Sequence, residues 1–98
     1  MHNDDYWKHY WQQHVAQTSS DQPFHQVLRT LNKQAPEPWQ FSALITHLKA
    51  LLQLESQHVL LDLCCGNGLI TSELAPTCRQ VLGVDFCEQL ITDMAKHC

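Results

Sequence analysis

One stretch constrains the fold of this chain more than any other feature: an apolar run that contains an acid and then turns through two glycines. The run occupies residues 58–63, and Gly66 and Gly68 follow it. Seventeen residues after Gly68, a second apolar run, residues 81–84, is closed by Asp85. A strand, a glycine turn, a helix and a second strand that ends in an acid are typical of the front half of a nucleoside-binding βαβ unit. The sequence therefore predicts an α/β fold.

Apolar spacing predicts helices before and within this unit. The predicted helices are residues 4–16, a short helix marked by Phe24, Val27, Leu28 and Leu31, and residues 41–54, 69–75 and 88–97. The predicted strands are residues 58–63 and 80–85. The first strand has a continuous apolar core rather than an alternating one, which predicts a parallel strand covered on both faces.

Length and composition exclude several classes of protein. With 98 residues, the chain forms one domain at most, and its net charge of -4 and lack of a basic block do not favour broad binding to nucleic acid or to an anionic membrane. No apolar run approaches the roughly 20 residues of a membrane-spanning helix. The polar N-terminus carries no signal peptide, so we expect a cytoplasmic protein with free thiols among its five cysteines and no metal site.

The glycines and Asp85 suggest a specific chemistry. Glycine lets the backbone turn sharply and lets a ligand approach without a Cβ between them. A carboxylate has two oxygens that match the two hydroxyls of a ribose. The alternative is a simple glycine turn with an aspartate that caps a helix. A dinucleotide fingerprint would place a third small residue where this chain has Thr71, which disfavours a nicotinamide or flavin site.

Residues 59–71 resemble motif I of the class I S-adenosylmethionine-dependent methyltransferases, and residues 83–91 resemble the segment that follows it in that family. The resemblance covers residues 58–98 and implies the first βαβ-α of a Rossmann-like parallel sheet, with strands 1 and 2 only. On this interpretation the domain is truncated, and residues 1–57 form an N-terminal helical extension, or lid, over the cofactor.

The resemblance also implies roles for individual residues. Asp62 would lie near the methionine end of the cofactor, Asp85 would bind the ribose hydroxyls, and Phe86 would lie against the adenine. Phe86 could alternatively be an ordinary core aromatic. The implied residues for binding S-adenosylmethionine are Asp62, Cys64, Gly66, Gly68, Asp85 and Phe86.

Two residues depart from the family pattern. Cys64 stands where many members have a further glycine, which would narrow the loop. Cys87 stands where many have serine, which would weaken the cap of the last helix. The resemblance assigns no catalytic residue, because the acceptor pocket of this family is built after later strands.

Three functional hypotheses follow. The first is an S-adenosylmethionine-dependent methyltransferase, or its cofactor-binding N-terminal fragment, with an unidentified methyl acceptor. The second is a fragment of an oxidoreductase that binds NAD or FAD. The third is a non-catalytic interaction module. We expect the chain alone to be inactive and to self-associate or depend on a complementing chain, because the edge of a central strand would be unpaired.

Overall fold

The computed structural model of the protein describes residues 3–96. Three helices precede a two-stranded unit in which each strand is followed by a helix, so the α/β class predicted from the sequence is confirmed. The elements are α1 (Asn3–Ala16), α2 (Pro23–Gln26), α3 (Pro38–Leu52), β1 (Val59–Leu63), α4 (Thr71–Leu74) with a 3-10 turn (Ala75–Thr77), β2 (Gln80–Val84) and α5 (Glu88–Met94). His97, in the predicted last helix, lies outside the described residues.

The two strands form a parallel pair. Val59 lies opposite Gln80 and Leu63 opposite Val84, without a register shift. A parallel pair needs a crossover connection, and α4 with its 3-10 turn provides it here. The carboxyl ends of both strands consequently meet at one edge of the sheet, which is where ligands bind in open α/β folds. The result is the partial Rossmann-like sheet that the sequence predicted.

The expectation that β1 is covered on both faces is wrong for the described residues. Side chains alternate along each strand between a half-buried and an exposed position. The half-buried face carries Leu60 and Val81, and the exposed face bears a row of aliphatic side chains. These side chains are 49 to 67% exposed and belong to Val59, Leu61, Leu63, Leu82 and Val84. A continuous apolar run shows that both faces of a strand could be buried, but here only one face of β1 is half-buried.

Helix α2 is shorter than the sequence predicts. It ends at Gln26, although the apolar spacing continues to Leu31. Leu28 adopts a left-handed conformation with φ at 57°, and its N–H donates to the carbonyl of His25 over 3.2 Å. This geometry is that of a Schellman turn, which terminates helices. The exposed side chains of Leu28 and Leu31 show that this apolar spacing does not mark a buried helical face.

Helix α3 begins three residues earlier than predicted, at Pro38 rather than at residue 41. Proline suits the first helical position, because its fixed φ is helical and the missing N–H would have no helical partner. Gln40 also closes the first turn: the Glu37 N–H donates to Gln40 Oε1 over 2.8 Å, and the Gln40 N–H donates to the backbone carbonyl of Glu37 over 2.9 Å. Ile45 is buried, whereas Leu51 remains exposed.

The small core joins the N-terminal helices to the sheet unit. Val15 of α1 packs with Cys87 and Leu90 at the start of α5, and Val27 packs against this cluster from beyond α2. Segments distant in sequence thereby meet beside the carboxyl ends of the strands. None of the helices within residues 3–96 has both the length and the apolar composition that a membrane crossing requires.

Candidate functional site

A cavity of about 370 Å³ lies beside the glycine loop. Its volume is in the range of small-molecule sites, which is roughly 300–1,000 Å³. The wall is formed by Trp11, Val27, Arg29, Asp62, Cys64, Cys65, Gly66, Asn67, Leu69, Ile70, Asp85, Phe86 and Leu90. Five of the six residues predicted to bind a cofactor lie in this wall. The exception is Gly68, which lies behind it against Met94.

The Asp85 carboxylate is held in a fixed orientation at the end of β2. One oxygen, Oδ2, accepts the N–H of Gly66 over 3.0 Å, and Oδ1 accepts the N–H of Cys87 over 2.9 Å. The contact with Gly66 links the second strand to the glycine loop. Each carboxylate oxygen has two acceptor directions, so both can take a further hydrogen bond from a ligand. The Cys87 side chain makes no capping hydrogen bond to α5, as expected from a cysteine at a position where serine is common.

Asp62 is oriented by Thr71, the residue that stands where a dinucleotide fingerprint has a third small residue. Its Oδ2 accepts a hydrogen bond of 2.6 Å from the hydroxyl of Thr71, which is buried at the start of α4. A glycine at this position could not make that bond. Thr71 therefore fixes the second acid of the cavity, at the end of β1.

Cys64 and Gly66 bend the loop through left-handed conformations, with φ at 58° and 60°. Glycine adopts this conformation without penalty, whereas other L-residues are strained there by about 1 kcal/mol. The position of Cys64 thus has a backbone that favours glycine, and its side chain is exposed. A Cβ on Gly66 would lie 3.1 Å from Val27 Cγ1, so the segment after α2 touches the loop directly.

Two aromatic side chains border the cavity from opposite parts of the chain. Phe86 is 46% exposed, which does not fit the alternative that it is an ordinary core aromatic. Trp11 comes from α1, where it belongs to a ladder of edge-to-face ring contacts that includes Tyr10 and His14. The other aromatic residues of this ladder, Tyr6 and Trp7, are exposed. Among the described side chains of the predicted lid helix, Trp11 alone lines the cavity.

A buried polar network attaches α2 to the glycine loop and to α5. Gln26 Nε2 donates to Asp93 Oδ2 over 2.7 Å, while Gln26 Oε1 accepts from Asn67 Nδ2 over 2.9 Å. The Asn67 amide also donates to the carbonyl of Pro23 over 3.0 Å. The residues Gln26, Asn67 and Asp93 are each only 1 to 2% exposed. Because an ionised carboxylate only accepts, Asp93 determines which way the Gln26 amide faces and, through it, the orientation of Asn67.

Asp93 is suited to anchor this network in its charged form. Burial by itself raises the pKa of the carboxyl, but hydrogen bonds from Gln26, Gln89 and Lys96 outweigh it and lower the pKa below its usual value. Gln89 Nε2 donates to Asp93 Oδ1 over 3.1 Å, and the exposed Lys96 ammonium lies 3.4 Å from the same oxygen. Asp93 therefore remains ionised at neutral pH.

Sequence reasoning missed Gln26, Arg29, Asn67 and Asp93. Two of them, Gln26 and Arg29, lie about 40 residues before the loop, and nothing in the local pattern of a polar side chain shows that it will meet a distant segment. Asn67 carries a weak signal, since it stands between the two glycines. For Asp93, an acid on the helical face next to Leu90 could have indicated a buried partner.

Comparison with known proteins adds a partial similarity to methyltransferases. The chain is 36% identical over 50 residues to a tRNA (uracil-5-)-methyltransferase homolog A of Mus musculus, which is 51% of this chain and 8% of that protein. It is 45% identical over 40 residues to an uncharacterized methyltransferase of Schizosaccharomyces pombe, covering 41% of this chain and 15% of that one. A human tRNA (uracil-5-)-methyltransferase homolog B is 42% identical over 43 residues, covering 44% and 8%.

These matches therefore span at most 15% of the length of the curated relatives named. No protein-family model matches this chain, and no solved structure is significantly similar to it.

Proposed function

We propose that this chain binds S-adenosylmethionine and contributes the donor site of a methyltransferase. The observation that carries the proposal is the cavity, in which two strand-end acids, Asp62 and Asp85, meet a glycine turn and an exposed aromatic ring, Phe86. Several proteins that are similar to part of this chain are named as methyltransferases.

The residues fit the parts of this cofactor. Asp85 has free acceptor directions for the two ribose hydroxyls, because its present partners use one direction on each oxygen. Phe86 offers a ring face to the adenine, and Gly66 allows close approach to the backbone. Asp62, oriented by Thr71, supplies negative charge for the cationic end. Residues of this kind act by binding and aligning the donor rather than by covalent chemistry.

The cofactor supplies a methyl group made electrophilic by a sulfonium, and the transfer leaves S-adenosylhomocysteine. Asp62, Asp85 and Phe86 would bind the donor and align it for transfer. The similar tRNA (uracil-5-)-methyltransferase homologs are named for a uracil of tRNA as the acceptor. For this chain the acceptor stays unassigned, because the cavity wall accounts for the donor alone.

Calorimetric titration of the purified protein tests the proposal. S-adenosylhomocysteine should bind, and it should bind more tightly than NAD, because the cavity has no third small residue for a dinucleotide turn. The Asp85→Ala variant should bind S-adenosylhomocysteine roughly tenfold to several hundredfold more weakly, since charge-assisted hydrogen bonds are worth about 1.5–3 kcal/mol each. Asp21→Ala, which removes an exposed charge away from the cavity, is the matched control.

A deoxy analogue of S-adenosylhomocysteine, which lacks one ribose hydroxyl, distinguishes loss of the contact with Asp85 from distortion of the glycine loop. The deoxy analogue should bind the native protein more weakly and lose little more on the Asp85→Ala variant, because the contact is already gone. Tighter binding of NAD than of S-adenosylhomocysteine would contradict the proposal and favour the oxidoreductase alternative.

The exposed aliphatic face of the sheet favours a second candidate function, association with another copy of the chain. Leu61 and Leu82 lie side by side in this face, 56% and 49% exposed, and contiguous apolar patches of this kind mark interaction surfaces. Light scattering should show particles larger than a monomer, and a Leu61→Thr, Leu82→Thr double variant should shift them toward monomer. Leu51→Thr, on an exposed leucine of α3, is the control. A monomeric native protein would remove this candidate.

A further inference from the structure

Arg29 is the one cationic side chain in the described wall of the cavity. Across residues 3–96, its guanidinium makes no hydrogen bond or ion pair with another described group. The wall also contains two carboxylates, those of Asp62 and Asp85. A guanidinium that lines a cavity and makes no ion pair or hydrogen bond with a described group is available to bind an anion.

The backbone of Arg29 is held in place although its side chain is exposed. Its N–H donates to the carbonyl of Phe24 over 2.8 Å, which is the longer-range hydrogen bond of the Schellman turn that ends α2. The turn is built on Leu28 in a left-handed conformation, a strained choice for a side chain with a Cβ. Gln26 ties the same turn to Asn67 of the glycine loop. The arginine is thereby presented from a segment fixed to the loop.

Charge decides which part of the proposed ligand the arginine can take. The donor carries a sulfonium, an ammonium and a carboxylate, and only the carboxylate is repelled by Asp62 and Asp85. The two acids attract the sulfonium and the ammonium, but without a cation nearby they would repel the carboxylate. A guanidinium can meet a carboxylate with two parallel hydrogen bonds, a geometry that lysine cannot reproduce.

We propose that Arg29 binds the carboxylate of the amino-acid end of S-adenosylmethionine. This inference rests on the proposed function and adds a residue from the N-terminal segment to the donor site. It gives residues 23–29 a part in recognition: the segment touches Gly66 through Val27 and carries the cation that selects a ligand with an amino-acid tail.

A comparison of two ligands tests the role of Arg29. S-adenosylhomocysteine has the amino-acid tail, and methylthioadenosine has the same nucleoside thioether without it. Arg29→Gln should weaken S-adenosylhomocysteine roughly five- to twentyfold, a range lowered for solvent screening of an exposed pair, and should leave methylthioadenosine unchanged. Arg29→Lys should fall between the native protein and Arg29→Gln. Added salt should reduce the preference for the tailed ligand in the native protein.

Arg79→Gln is the matched control, because it removes an exposed guanidinium outside the cavity wall and should change neither affinity. Equal weakening of both ligands by Arg29→Gln would mean that the arginine only supports the fold. Unchanged affinities would mean that its side chain faces solvent and binds no part of the ligand. Either result would overturn this inference but not the proposed function. A native protein that binds neither ligand would overturn the proposed function and the inference together.

Discussion

The Gln26→Glu variant is expected to lose about 3 kcal/mol of unfolding free energy, because it places a second carboxylate against Asp93. The native contact is a donated hydrogen bond of 2.7 Å between residues that are 1 to 2% exposed. The substitution keeps the size of the side chain, removes the donor and adds a like charge. Chemical unfolding followed by tryptophan fluorescence measures the loss. Gln17→Glu, on an exposed glutamine at the end of α1, should cost little.

A second substitution should rescue this variant. In the Gln26→Glu, Asp93→Asn double variant, the new amide can donate to the introduced carboxylate while that carboxylate still accepts from Asn67, so each polar group regains a partner. Most of the lost stability should return, with a coupling free energy above about 1 kcal/mol. If the double variant is as unstable as the sum of the two single ones, the three side chains do not act as one network.

The pH dependence of the single variant follows from the same contact. In the native protein the pKa of Asp93 is lowered, so its contribution to stability is present above its unfolded pKa and is lost as the pH falls through the folded value. In Gln26→Glu, repulsion between the two carboxylates raises the pKa of the pair, and protonation relieves it. The difference in stability between native and variant protein should therefore narrow on acidification.

The local elements of the site could be predicted from sequence, since their signals lie within a few residues. Strand β1 was expected over residues 58–63 and is found at Val59–Leu63, and β2 was expected over 80–85 and is found at Gln80–Val84. The glycine turn and the acid that ends β2 follow from the same short pattern. Backbone conformation there depends on the residues themselves, because glycine permits the left-handed turn and the apolar runs set the strands.

The N-terminal half was less predictable, because its structure depends on distant contacts. An apolar spacing from Phe24 to Leu31 suggested a helix that in fact ends at Gln26. What organises this segment is the hydrogen bond from Asn67 to Gln26, which joins residues 41 positions apart. Tertiary contacts of this kind override local propensity, and the periodicity of apolar side chains does not record them. The position of Arg29 in the cavity wall could not be predicted for the same reason, because it depends on contacts between distant segments.

The two glycines of the loop are expected to respond differently to alanine, with the larger loss of stability at Gly68. A Cβ there would lie 2.4 Å from Met94 Cγ, close to the backbone end of that side chain, and the φ of 83° adds strain. We expect Gly68→Ala to cost about 2–4 kcal/mol, from overpacking and backbone strain together. Gly66→Ala meets only Val27, with the nearest atom, Cγ1, at 3.1 Å, and about 1 kcal/mol is expected there.

Ligand affinity should show the opposite order in these two variants, because Gly66 lines the cavity and Gly68 lies behind it. Gly66→Ala should weaken S-adenosylhomocysteine more than Gly68→Ala does at a temperature where both variants are folded. Met94→Ala removes the atoms that a Cβ on residue 68 would strike, so in the double variant the cost of Gly68→Ala should fall by more than about 1 kcal/mol. Additive losses at 68 and 94 would show that the loop moves away from α5 instead, and the division of roles between the two glycines would then be wrong.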